Sequence, residues 1–92
     1  SPDWLINEDE LIANAQARLD KIDCKDMTAI ATREVSIGSP KHEIIRVAVE
    51  KNSDLIVIGS HGRHGFGRLL GSTANPVLHN APCDVLAIKI TE

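Results

Sequence analysis

Asp54-Leu55-Ile56-Val57-Ile58-Gly59 decides the fold. Four consecutive apolar residues without alternation, closed by glycine, read as a strand covered on both faces by helices, and therefore as a central parallel strand. Upstream of it, Gly38-Ser39-Pro40 ends one element and opens another, because serine accepts from orphan amides and proline is tolerated at the first helical position. The helix predicted there runs to Asn52, with Ile44, Ile45, Ala48 and Val49 as its apolar face. Downstream, a glycine-rich loop leads to a helix from Ser72 or Thr73 to Asn80. Pro82 stops that helix, and a last strand spans Asp84 to Ile90. Pro76 suits a helix with Thr73 as its N-cap, since its missing amide then falls in the first turn.

Farther toward the amino end, Asn7 followed by Glu10 resembles a capping box. Ile12, Ala15, Leu19 and Ile22 follow at spacings that give one apolar stripe, which predicts a helix from Glu8 to Ile22. After a polar break from Asp23 to Asp26, Met27 to Ile37 is rich in Thr, Ile and Val and reads as a strand. The order helix, strand, helix, strand, loop, helix, strand describes an α/β fold, an open parallel sheet with helices on both faces. Leu55 to Gly59 is expected inside it, flanked by Thr28 to Val35 and by Val85 to Ile90. Such sheets usually have five or so strands. Three predict the later part of a larger α/β domain.

Composition narrows the function classes. The 92 residues are 42% hydrophobic and 25% charged, which fits one small globular domain and excludes disorder along the whole length. Apolar runs such as Leu55 to Ile58 fall far short of the roughly 20 residues of a membrane span. With no charged-then-apolar leader at the start, the reading is cytoplasmic. A net charge of −3 argues against general nucleic-acid binding, and aromatics at 2% exclude recognition by several stacking platforms. Cys24 and Cys83 are expected as reduced core residues.

Five of the six glycines, at 59, 62, 65, 67 and 71, fall directly after the apolar strand. Open α/β sheets bind ligands beyond the carboxyl ends of their strands. From Leu55 to Cys83 there is no Asp or Glu, whereas His61, Arg63, His64 and Arg68 all lie in the loop. An acidic chain thus carries one acid-free, basic segment. Glycine lets backbone approach a ligand, and the amides of Gly62, Gly71, Ser72 and Thr73 suit an anion, most simply phosphate. The P-loop ending and the dinucleotide fingerprint are both absent. A metal reading of His61 and His64 lacks further ligands, and a nucleophilic reading of Cys83 with His79 lacks a defined geometry. No carboxylate pair lies near the loop to support acid-base hydrolysis.

Three segments together carry a resemblance. Leu55-Ile-Val-Ile-Gly-Ser-His-Gly-Arg-His-Gly, Leu69-Leu-Gly-Ser-Thr-Ala-Asn and Asn80-Ala-Pro-Cys-Asp-Val-Leu-Ala-Ile resemble the carboxyl half of the universal stress protein family. The match extends from about Val35 to Ile90. It implies the adenine nucleotide alpha hydrolase-like, Rossmann-like fold. It also implies, by similarity to the family's ATP-binding branch, that a Gly-x-x-Gly, a spacer and a Gly-Ser/Thr hold ribose and phosphates. Gly59-Ser60-His61-Gly62 and Gly71-Ser72 match these parts, with eight residues between Gly62 and Gly71 where the family has nine. The family domain also begins with a strand whose Asp contacts the nucleotide. No counterpart is evident here, so the single domain over 1–92 is expected to lack its first β-α-β segment.

The resemblance therefore implies an ATP-binding or adenine-nucleotide-binding regulatory module of the stress response, with Mg²⁺ as the companion ion of ATP. Its cofactor-binding residues would be Ile58, Gly59, His61, Gly62, Arg63, Arg68, Gly71, Ser72 and Thr73. No catalytic base is visible, so at most a slow ATPase is expected. The alternative is a dimeric interaction protein of the same fold that binds no nucleotide. Either form is expected to be a homodimer through the carboxyl-terminal strand, with no nucleic-acid or membrane partner.

Overall fold

The computed structural model describes residues 7–25, 31–61 and 71–90. The chain divides into two compact units, Ser1–Ile37 and Gly38–Glu92, each with its own internal packing.

In the first unit, α1 spans Glu8–Asp20, and Asn7 is its N-cap. The Asn7 side chain accepts the Glu10 backbone N–H at 3.3 Å, as the sequence spacing predicts. Glu8, Asp9 and Glu10 in the first turn and Arg18 in the last match the helix dipole. Of the expected apolar stripe, Ala15 and Leu19 are half-buried, while Ile12 and Ile22 are exposed. Arg33 gathers the end of this helix. Its guanidinium donates to the Ile22 carbonyl and, at 3.4 Å, to Cys24 Sγ, and it pairs with Asp20 at 3.8 Å.

Two expectations are corrected in this unit. Residues 31–37, the later part of the strand expected over Met27 to Ile37, form no ladder; residues 26–30 lie outside the described residues. A β-branched composition favours a pleated, half-buried surface, but without a partner strand it does not make one. Cys24 is an exposed free thiol rather than a core residue, because it sits in the polar turn after α1. Cys83 is free and half-buried.

In the second unit, α2 spans Pro40–Glu50, β1 Leu55–His61, α3 Ala74–Asn80 and β2 Asp84–Ile90. Pro40 occupies the first helical position after Ser39, as predicted. The end of α2 is a Schellman motif. Asn52 takes φ 53°. Its N–H donates to the Val49 carbonyl at 3.2 Å, and the Ser53 N–H donates to that of Ala48 at 2.9 Å. The buried face of α2 differs from the expected one. Ile44, Ile45 and Val47 are half-buried and Ala48 is buried, whereas Val49 points outward, 58% exposed. A run of Val-Ala-Val spans 200° of helix, so one of its two valines must turn away.

β1 and β2 are parallel neighbours, with Leu55 opposite Asp84 and His61 opposite Ile90. Among the described residues they form a two-stranded sheet, and residues 28–30 of the strand expected on the other side of β1 lie outside the described residues. Helix α3 packs on both strands and α2 packs against α3. Among the described residues the buried apolar side chains are Ala48, Ala74 and Val77. On one face of the sheet Ile56, Ile58, Ser60, Val85 and Ala87 are buried or half-buried. The other face leaves Leu55, Val57, Leu86, Ile88 and Ile90 exposed. Among the described residues no helix is long and apolar enough to cross a membrane.

Candidate functional site

The glycine-rich segment joins the carboxyl end of β1 to the start of α3, so those two ends position whatever the segment binds. β1 carries Ile58, Gly59, Ser60 and His61 in turn. Ile58 is half-buried on the covered face. Gly59 sits on the open face, where the Ile90 side chain occupies the space a Cβ would need. His61 is the last residue of the strand, opposite Ile90 in the ladder.

Ser60 turns to the covered face and is only 7% exposed. A hydroxyl so placed needs a partner. It finds one at the start of the α3 segment: the Gly71 N–H donates to Ser60 Oγ at 3.1 Å. The Gly71 carbonyl in turn accepts the Asn75 N–H at 3.0 Å, and that of Thr73 accepts Val77 at 3.2 Å. Thr73 is the N-cap of α3, as the position of Pro76 predicts, although its side chain makes no capping bond. Both polar groups of the Gly71 backbone therefore point into the protein.

Gly71 itself is half-buried, and its φ lies outside the left-handed range. A Cβ built on it would meet Ser60 Oγ at 3.8 Å, an ordinary contact. Neither backbone strain nor crowding by the described residues demands a glycine there. The exposed Ser72 hydroxyl and the half-buried Thr73 that follow it are of the polar kind that suits a phosphate-bearing group.

The structure thus brings Ile58, Gly59, His61, Gly71, Ser72 and Thr73 to one end of the sheet. Gly62, Arg63 and Arg68 lie outside the described residues. Ser60 was not among the residues the sequence singles out. The alternation Ile56, Ile58, Ser60 is the signal that finds it, since a serine in register with two half-buried isoleucines is itself directed inward. Among the described residues no group of three or more His, Cys, Asp and Glu side chains is arranged to hold a metal ion.

With this geometry in place, comparison with known proteins decides the family. The family model of the universal stress proteins matches residues 2–89. The chain belongs to the universal stress protein family. Universal stress protein A homolog 2 of Coxiella burnetii is 45% identical over 83 residues, which cover 90% of this chain and 57% of that protein. Homolog 1 of the same organism is 54% identical over 55 residues, 60% of this chain and 38% of that protein. A universal stress protein of Synechocystis is 38% identical over 79 residues, covering 79% and 73%. The chain thus spans little more than half the length of the first of these relatives. The α/β class with a parallel sheet agrees with membership of this family.

Proposed function

We propose that the chain is an adenine-nucleotide-binding regulatory module of the stress response, cytoplasmic and homodimeric, which binds ATP with its Mg²⁺ and turns it over slowly at most. The observation that carries this reading is the junction of Ser60 with Gly71. The two halves of the glycine motif, Gly59-Ser60-His61-Gly62 and Gly71-Ser72, are eleven positions apart at this junction and in direct hydrogen-bonded contact. With the Gly71 N–H already engaged by Ser60, the phosphate-facing donors are the N–H groups of Ser72 and Thr73 and the Ser72 hydroxyl. Arg63 and Arg68 supply charge-assisted contacts. When bound, Mg²⁺ would supply charge screening of the ATP phosphates; the chain's part is to hold and orient the nucleotide.

Calorimetric titration of the full chain with ATP tests the proposal. Saturable binding, weakened by Gly71→Val through lost space and by Ser72→Ala through a lost hydroxyl, is the expected result. Because the contacts are polar, raising salt from about 0.05 to 0.5 M should weaken binding further. The open apolar face of Leu55, Val57, Leu86, Ile88 and Ile90 favours the second reading, a dimeric interaction protein without nucleotide. A flat titration by a folded dimer would establish that one instead.

A further inference from the structure

We infer that Ser60 is a positioning residue for the nucleotide site, holding the start of the Gly71-Ser72-Thr73 segment at a fixed place against the carboxyl end of β1. The inference deepens the nucleotide-binding reading and rests on it. Ser60 is the one buried polar side chain among the described residues, and its hydroxyl lies 3.1 Å from the Gly71 nitrogen. No local hydrogen bond of a strand or helix does this task, because the two residues are eleven positions apart and belong to different elements. The strand is itself fixed by its ladder to β2, in which Ser60 stands opposite Lys89.

Anchoring Gly71 sets the peptide planes that follow it. With its N–H held by Ser60 and its carbonyl held by Asn75, Gly71 has little freedom to rotate, and the N–H groups of Ser72 and Thr73 inherit that orientation. A binding segment arranged before the ligand arrives loses less entropy on binding. Ser60 needs no contact with the ligand for this. Without its oxygen, the Gly71 N–H would be left without its partner in a half-buried place, and the segment would move to find another.

The test titrates ATP into full-length wild type, Ser60→Ala and Ser60→Thr, with amide hydrogen exchange at Gly71 measured on each. Threonine keeps an acceptor oxygen at the same position and suits a strand. Ser60→Ala is expected to bind about tenfold more weakly, and Ser60→Thr within about twofold of wild type. The Gly71 amide should exchange faster in the alanine variant and return to the wild-type rate in the threonine variant. Should Ser60→Ala prove too unstable to titrate, Ser60→Cys, a weaker acceptor, takes its place with the same direction of effect. Unchanged affinity in the alanine variant, or a folded threonine variant that fails to recover, overturns the positioning role alone. Wild type that binds no ATP overturns the nucleotide reading and this inference with it.

Discussion

Ile90 lies across Gly59 on the open face of the sheet, its terminal methyl in the space where a Cβ on residue 59 would stand. Gly59 belongs to the glycine motif, yet in β1 its missing side chain also serves packing. Gly59→Ala should therefore destabilise the fold by about 1 kcal/mol, at the low end for overpacking because the displaced group is the end of a side chain. The same change in an Ile90→Ala background should be neutral or stabilising, since alanine suits a strand better than glycine. Urea midpoints of the four proteins in this cycle measure the coupling. Additive effects would show that Ile90 and Gly59 do not share the space.

Gly38 adopts φ +150°, and a Cβ there would stand 3.0 Å from Cγ of Glu43. Both facts oppose any other residue ahead of α2. Gly38→Ala is expected to lower stability by about 1 kcal/mol or more, against the usual gain of replacing a flexible glycine. Chemical denaturation at neutral pH is the measurement, and a more stable variant would disprove the assignment.

Among the described residues Val77 is the largest wholly buried side chain, at 0% exposure. Val77→Ala should cost about 2 kcal/mol, because the lost methyls leave a cavity at a wholly buried position. The ion pairs of Arg46 with Glu43 at 3.0 Å and with Glu50 at 2.7 Å provide the contrast. Arg46 is half exposed in both pairs, so Arg46→Ala should cost no more than about 1 kcal/mol for the two together. Thermal melts of the two variants side by side should separate them clearly.

Much of the fold is legible because its signals are local. The Asn7 cap, the proline at the head of α2, the N-cap at Thr73 and the span of β2 each follow from a few neighbouring residues. What was not legible depends on partners far away in sequence. Residues 31–37 have strand composition but no ladder among the described residues. Val49 and Val47 are indistinguishable by type, and the packing of α2 against α3 decides which one turns out to solvent. Ser60 reads as a polar end to an apolar run until its bond to Gly71 shows that it faces the protein.

The proposed homodimer gives the last prediction. β2 pairs with β1 on one side, and its other edge has no partner strand among the described residues. Its run from Val85 to Ile88 is apolar, and Lys89 is the one charge within the strand after Asp84, which protects an edge poorly. If two copies pair through this edge, the backbone amides along β2 alternate between the β1 ladder and the partner copy. Neighbouring prolines should then act differently. Of Ala87→Pro and Ile88→Pro, one removes an amide that points to β1 and should unfold the second unit. The other removes an amide that points to the second copy and should give soluble, folded monomer. Sedimentation velocity with far-ultraviolet circular dichroism on both variants distinguishes these outcomes. A folded dimer of wild-type affinity in either variant would place the association elsewhere on the molecule.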